Sequence, residues 1–152
     1  MRDGLGPRDW SGKLSITENK ELVRNFVETV LNGRDLGAVD QFLAEKFECP
    51  PDGPDRLDRS GFTDVLRYYF SAFSDLNYRI ADLVGEGDTV VTRLVMRGTQ
   101  DGEYGGRPAS ELAFEVEEAD FWAIADGQIA SLRISWDEFG MQRQLNPEVS
   151  PS

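Results

Sequence analysis

Residues 112–137 read LAFEVEEADFWAIADGQIASLRISWD. Apolar and polar side chains alternate along residues 112–124 and again along residues 129–137, and this period of two is typical of β-strands with one buried face. The Asp126-Gly127 pair between them favours a tight hairpin turn. The stretch therefore predicts two antiparallel neighbouring strands.

Two more strands are predicted immediately upstream. Residues 78–84 form a shorter apolar segment, Gly85-Glu86-Gly87-Asp88 indicates a turn, and residues 89–99 predict a long strand. Residues 100–110, which contain three glycines and a proline, indicate a longer connection. From residue 76 onward the sequence thus predicts a meander of antiparallel strands.

The first half of the chain shows helical spacing instead. Ser15 and Glu18 fit a capping box, and apolar residues then recur every three or four positions as far as Asn32-Gly33. A second, shorter helix is predicted around residues 36–43, and a third over residues 60–73. Three helices followed by a curved, mostly antiparallel sheet predict an α+β fold.

Length and composition predict one domain. The chain has 152 residues, 39% of them apolar, which is enough for a single buried core. We expect residues 1–14, rich in glycine and charge, to form a flexible arm and residues 146–152 a flexible tail. Residues 15–145 are then the domain.

The charge balance narrows the choice of partners. Sixteen basic against 28 acidic residues give a formal net charge of −12, which repels nucleic acids and anionic membrane surfaces. No apolar run approaches the roughly 18 residues of a membrane span, and the start lacks the pattern of a signal peptide. We therefore expect a cytoplasmic protein that binds neither nucleic acid nor membranes.

The sequence contains no histidine and a single cysteine, Cys49. Imidazole-based nucleophile systems and Cys/His zinc sites are thereby excluded, and no metal site is predicted. Cys49 lacks a base partner, so we expect it to be inert. Any proton chemistry would therefore fall to carboxylates, tyrosines, lysines, the lone thiol or water.

Four acidic residues lie on the strand over residues 112–124: Glu115, Glu117, Glu118 and Asp120. Neighbouring carboxylates raise one another's pKa, and a raised pKa lets a carboxyl act as a general acid or base near neutrality. We interpret Glu115 and Glu117 as solvated. Asp120 shares a face with Phe114, Val116 and Trp122, which predicts a carboxylate among apolar neighbours if that face is covered.

The last predicted strand leaves two interpretations open. Arg133 and Asp137 share one face, and Trp136 lies on the other. The first interpretation is an ordinary sheet with one solvated side. The second places Arg133 and Asp137, about 13 Å apart, on either side of a substrate in a cavity beneath the helices.

Six aromatic residues could line such a cavity: Tyr68, Tyr69, Phe70, Phe73, Trp122 and Trp136. Most aromatic residues at helical spacing belong to the core, so only one or two of the six are expected to contact a ligand. Tyr68 and Tyr69 are favoured because a phenol can also donate a hydrogen bond.

Eight short motifs occur in a recognisable order: NKELVR at 19–24, NGRDL at 32–36, FSDL at 73–76, DLVGEGDTV at 82–90, GT at 98–99, GEYGGRP at 102–108, DGQI at 126–129 and WDEFGMQRQL at 136–145. This set resembles the SnoaL-like polyketide cyclase family of the nuclear transport factor 2-like (NTF2-like) superfamily. The resemblance covers about residues 18–145.

The resemblance implies a cone-shaped α+β barrel with one deep pocket, commonly in a homodimer packed through the sheet. It further implies cofactor-free cyclisation of a polyketide-like substrate by a pocket carboxylate. Carried over from the family, Asp137 and Asp120 are the catalytic candidates. Arg133, Tyr68, Tyr69, Trp122, Trp136 and Phe73 are then candidates for substrate binding.

The chain also departs from the family pattern. Family members often carry histidine at positions that here read Cys49-Pro50 and Ser131-Leu132-Arg133. This difference favours carboxylate-led or shape-led cyclisation over an imidazole-assisted aldol mechanism. Two alternatives remain open: an epoxide-hydrolase-like or isomerase-like enzyme, and a small-molecule-binding module without catalysis.

Overall fold

The sheet predicted from the period of two is present, and helices cover one of its faces. The computed structural model describes residues 14–148, so the predicted arm up to residue 13 and the tail from residue 149 lie outside the described residues. The helices are α1 (Ile16–Phe26), α2 (Val39–Phe42), α3 (Arg59–Ala72) and α4 (Glu138–Leu145). The strands are β1 (Leu43–Glu48), β2 (Asn77–Glu86), β3 (Thr89–Thr99), β4 (Ala113–Ala125) and β5 (Gln128–Trp136).

Local capping interactions fix where the helices begin. The Ser15 hydroxyl accepts a hydrogen bond from the Glu18 amide, and the Glu18 carboxylate accepts one from the Ser15 amide, which confirms the capping box. α1 continues into a wider π-helical turn, Val27–Asn32. Within residues 14–148 no helix is long and apolar enough to cross a bilayer.

The sheet has five strands in the order β1-β5-β4-β3-β2. β2 to β5 form the predicted antiparallel meander, whereas β1 pairs parallel to β5. The prediction of a helix as far as residue 43 was wrong at its end, because Leu43 begins β1. β1 is six residues long and pairs with β5, which is distant in sequence. No hairpin turn therefore marks β1 in the sequence.

The hydrophobic core lies between the helices and the inner face of the sheet. Phe26 of α1, Leu66 of α3 and Trp122 of β4 are all buried there. Register irregularities in the β2–β3 and β4–β5 pairings accompany the curvature of the sheet. The fold is therefore α+β, with helices and curved sheet enclosing the space that holds the candidate site.

Candidate active site

A cavity of about 80 Å³ lies between α1, α3 and the inner face of the sheet. Its walls are aromatic and aliphatic apart from one carboxyl group. The lining residues are Phe26, Leu31, Phe62, Val65, Leu66, Tyr69, Tyr78, Met96, Glu118, Trp122, Leu132, Ile134 and Trp136. Tyr69, Trp122 and Trp136 were predicted from the sequence as wall residues.

Glu118 and Asp120 form a buried carboxyl pair at this cavity. They lie two residues apart on β4, so both side chains point to the inner face, where they are 9% and 1% exposed. Glu118 lines the cavity, and the two carboxyl groups lie within hydrogen-bonding reach of each other. Leu94 and Trp136 are the cross-strand neighbours of Glu118 on either side.

Burial is the main reason why both carboxyls hold their protons unusually tightly. Removal from water raises the pKa of Glu118 and of Asp120 above the ordinary carboxyl range. Repulsion from Glu118 raises the pKa of Asp120 further, while a hydrogen bond from Thr92 opposes the rise. The pair therefore titrates as a unit, and the loss of the second proton is strongly resisted.

A chain of hydrogen bonds holds Asp120 from behind. The Trp122 indole N–H donates to Thr92 Oγ1 over 2.9 Å, and the Thr92 hydroxyl donates to Asp120 Oδ2 over 3.2 Å. Because Thr92 Oγ1 accepts from Trp122, its own hydrogen is free to point at Asp120. The chain fixes Oδ2 as an acceptor.

The contact between the two carboxyl groups requires a shared proton. Among the described residues no donor reaches Asp120 Oδ1, although the atom is buried. Two ionised carboxylates can only accept hydrogen bonds, so contact between Glu118 and Asp120 requires a proton. A proton shared by the pair lets one carboxyl donate to the other, and Glu118 still lines the cavity.

Two tyrosines add neutral donors to the cavity wall. The Asn32 side chain donates a hydrogen bond to the Tyr78 carbonyl and accepts one from the Tyr78 amide, each over 2.8 Å. These bonds hold the backbone of Tyr78 against Asn32, the last residue of the π-helical turn. The Tyr69 hydroxyl lies 3.4 Å from the Tyr104 hydroxyl. Burial raises the pKa of Tyr69 and of Tyr78, so both phenols stay protonated and can donate.

Cys49 lies close to the pair but remains a thiol. It is buried, and burial followed by repulsion from Asp120 and Glu118 raises its pKa to about 11. A neutral thiol is a poor nucleophile and a poor metal ligand. This agrees with the expectation that Cys49 is inert.

The structure places Arg133 and Asp137 outside the cavity. Arg133 lies on the exposed face of β5 and pairs with Asp52 over 2.8 Å. Asp137 follows β5, is exposed, and accepts a hydrogen bond from the Gly140 amide over 2.8 Å as the N-cap of α4. The interpretation that placed both residues around a substrate was therefore wrong. The face of β5 that points toward the cavity carries Leu132, Ile134 and Trp136 instead.

Tyr68 and Phe73 also lie away from the cavity. Tyr68 is 39% exposed, and its hydroxyl accepts a hydrogen bond from the Gly105 amide over 2.7 Å. Phe73 is fully buried against Phe114 and Tyr104. Both anchor the β3–β4 connection to α3 rather than line the site.

The site also contains functional candidates that were not singled out from the sequence. Glu118 shares the period-two face of Asp120 and could have been found from that parity, but it lies within an acidic run that suggests solvation. Thr92 carries no comparable signal, because its role depends on the pairing of β3 with β4. Tyr78 depends likewise on its contact with Asn32.

The polar inventory of the cavity limits its chemistry. Within residues 14–148 no cluster of three His, Cys, Asp or Glu side chains is arranged to hold a metal ion. No Arg or Lys is among the described residues that line the cavity. Among the described lining residues, the groups able to hydrogen-bond a substrate oxygen are therefore the Glu118 carboxyl, the Tyr69 and Tyr78 phenols and the tryptophan indoles.

A curved sheet and a covering layer of helices that enclose an aromatic cavity make up an NTF2-like fold. The model of the SnoaL-like polyketide cyclase family matches residues 21–145. The chain belongs to this family. No curated protein matches the chain.

Three solved structures illustrate the similarity. TsrD from Streptomyces laurentii is 30% identical, with a TM-score of 0.78, and the match covers 88% of this chain and 98% of that one. IdmH from Streptomyces antibioticus, a candidate polyketide cyclase, is 26% identical, with a TM-score of 0.73 and coverage of 84% and 97%. AclR from Streptomyces galilaeus, a candidate hydroxylase, shares the fold at 18% identity, with a TM-score of 0.80 and coverage of 91% and 87%.

Proposed function

We propose that the protein is a cofactor-independent cyclase of natural-product biosynthesis that closes a ring in a polyketide-type substrate. The observation that carries this proposal is the buried Glu118–Asp120 pair on the wall of an apolar cavity. A carboxyl pair that resists losing its last proton can supply both a base and an acid near neutral pH. Membership of the SnoaL-like family supports the same reaction class.

A carboxyl pair that holds one proton can catalyse ring closure by an aldol-type reaction. Ionised Glu118 takes the proton from a carbon next to a substrate carbonyl, and the resulting enolate carbon attacks a second carbonyl carbon. Protonated Glu118 then returns the proton to the alkoxide oxygen formed in that attack. One carbon–carbon bond forms, no atom is lost, and Glu118 ends in its starting state.

Asp120 acts through Glu118 in this scheme and is a positioning residue. It does not line the cavity, but it shares the proton and is held by Thr92. Tyr69 and Tyr78, both in the cavity wall, are the candidates to donate a hydrogen bond to the carbonyl under attack. The apolar walls would hold the polyketide substrate in a folded conformation that brings its two reacting carbons together.

The size of the cavity requires movement during binding. Its 80 Å³ lies well below the roughly 300–1,000 Å³ of sites for larger ligands. Among the lining residues Ile134 is exposed and Val65 and Trp136 are partly buried, so these three mark its mouth. We expect a polyketide-sized substrate to enter by displacing these side chains.

The proposal is tested by ring closure of linear poly-β-ketone thioesters, followed by chromatography with mass spectrometry. The wild-type protein should form a cyclised product, and Glu118→Gln should slow its formation by about 10²–10⁴-fold. Asp120→Asn should shift the pH dependence of the rate. Glu115→Gln is the matched control, since it removes the same charge from the exposed face of β4. Full rates in Glu118→Gln and Asp120→Asn would remove the acid/base proposal and leave templating by shape.

We also propose that the protein is a homodimer packed through the outer face of the sheet. Val84, Val91 and Phe121 are neighbours across β2, β3 and β4 on that face. Val84 is 57% and Phe121 49% exposed, so the row forms an apolar patch beside the ion pairs of Arg93 with Asp82 and Glu117. A partner chain would cover this patch.

A further inference from the structure

The cavity combines aromatic walls with a single acidic group. Six rings line it: Phe26, Phe62, Tyr69, Tyr78, Trp122 and Trp136. Glu118 is the one charged residue among the described residues that line it, and Asp120 lies directly behind. No lining group could neutralise an anionic ligand.

This composition favours a cation over an anion. Aromatic rings attract a cation through the negative potential of their faces, and the attraction is strongest where water is excluded. An ammonium ion beside Glu118 would also give the pair a positive partner, which it lacks among the lining residues. A carboxylate ligand, by contrast, would meet a like charge in a cavity of low polarity.

We propose that the ligand of this cavity carries an amine, and that its ammonium group binds beside Glu118 while its hydrocarbon skeleton contacts the aromatic walls. The inference deepens the proposed function by naming a substrate class. It rests on that function only in taking the cavity as the substrate site. An amine-bearing polyketide chain or ring precursor is the class of compound that fits.

Three probes of matched shape test the inference: benzylamine, benzyl alcohol and benzoate. Each has a single ring, which suits the small closed cavity. In NMR titrations of the labelled full-length protein at about pH 7, we expect benzylamine to bind at least about tenfold more tightly than benzyl alcohol. Benzoate should bind at least about tenfold more weakly than the alcohol.

Two charge-matched variants separate the cavity from the general acidity of the chain. Glu118→Gln should reduce the preference for the amine to the part that the aromatic rings supply, and it should leave the affinity for benzyl alcohol within about twofold. Glu115→Gln, which changes the net charge equally on the exposed face, should keep the preference. An undiminished preference in Glu118→Gln would overturn the inference, because the attraction would then come from the aromatic rings alone or from the net charge of −12 and not from Glu118.

A proton count provides an independent readout. The titratable groups that interact with Glu118 are Asp120, Cys49, Tyr69 and Tyr78, and none of them is a cation. A bound ammonium should favour the ionised form of Glu118, so benzylamine should release a fraction of a proton in calorimetry across buffers of different ionisation heat. Benzyl alcohol should release none.

The outcomes distinguish the two proposals. Equal binding of amine and alcohol in the wild-type protein would overturn the amine inference and leave the cavity as a ligand site. Failure of all three probes to bind at millimolar concentration would overturn both the inference and the assignment of this cavity as the active site.

Discussion

Thr92 Oγ1 lies 3.2 Å from Asp120 Oδ2, and both side chains are buried. Because the Trp122 indole donates to the same hydroxyl, the hydrogen of Thr92 is free to point at Asp120. This one hydrogen bond therefore orients the carboxyl pair. It occupies Oδ2 of Asp120 and leaves Oδ1 without a donor among the described residues.

Thr92→Val should shift the titration of the pair upward. The lost donor stabilises ionised Asp120, so its removal raises the pKa of the pair further. The rising limb of the cyclisation rate against pH should move up by about one pH unit. Unfolding in denaturant should show a loss of about 1–3 kcal/mol, since Trp122 and Asp120 each lose a partner.

Thr92→Ser is the matched control for this prediction because it keeps the hydroxyl. Its pH profile should coincide with that of the wild-type protein. A profile shifted as far as in Thr92→Val would show that packing of the methyl group, rather than the hydrogen bond, sets the titration.

Glu118→Gln should be more stable to unfolding than the wild-type protein, by an amount that grows as the pH rises. In the wild-type protein both pKa values of the pair are raised, so the folded state binds more protons than the unfolded chain above about pH 4. The stability contributed by the pair is complete below that pH and is lost as the pH rises through the folded pKa values. The variant should therefore exceed the wild type by about 1–3 kcal/mol at about pH 8, and by less at about pH 5.

Guanidinium denaturation across this pH range measures the difference. Glu115→Gln, exposed on the opposite face of β4, should give a difference from the wild type that does not change with pH. A pH-independent difference for Glu118→Gln as well would contradict the raised pKa values of the pair.

Asp137→Ala should weaken the fold without altering the chemistry. Asp137 caps α4 through the Gly140 amide, and loss of an N-cap side chain costs about 1 kcal/mol. Asp137→Asn, which keeps an acceptor, should recover most of that stability. An Asp137→Ala variant that folds normally but no longer cyclises substrate would return Asp137 to the catalytic role that the family resemblance implies.

Phe121→Asp should convert a dimer to a monomer, because it puts a charge at the β4 end of the row Val84, Val91 and Phe121. Light scattering after size exclusion measures the mass directly. Leu112→Asp introduces the same change at an apolar side chain that is 38% exposed elsewhere and should leave the mass unchanged. A Phe121→Asp protein that keeps the dimer mass would place the interface on another surface.

The sequence allowed the fold class and half of the carboxyl pair to be predicted. Strand parity was sufficient to place Asp120 on the face of Trp122, because the side-chain direction in a strand depends only on local backbone geometry. The same alternation places Glu118 on the face of Asp120, but the acidic residues beside Glu118 in the sequence suggested a solvent-exposed charged segment. The relation of Glu118 to Trp136 arises from the pairing of β4 with β5.

Other features depend on where elements end and on long-range pairing. Asp137 continues the parity of Arg133, but the strand stops at Trp136, so Asp137 becomes a helix cap. β1 gains its partner only when the chain returns as β5, more than 80 residues later. Neither the end of β5 nor the pairing of β1 with β5 can be predicted from the local alternation of apolar and polar residues.

The most direct test of the central claim is an NMR titration of the side-chain carboxyl carbons of Glu118 and Asp120 in the substrate-free protein. The account predicts two coupled steps, both above the ordinary carboxyl range of about 4, with one proton still held by the pair at neutral pH. Independent titration of both carboxyls near 4 would contradict it.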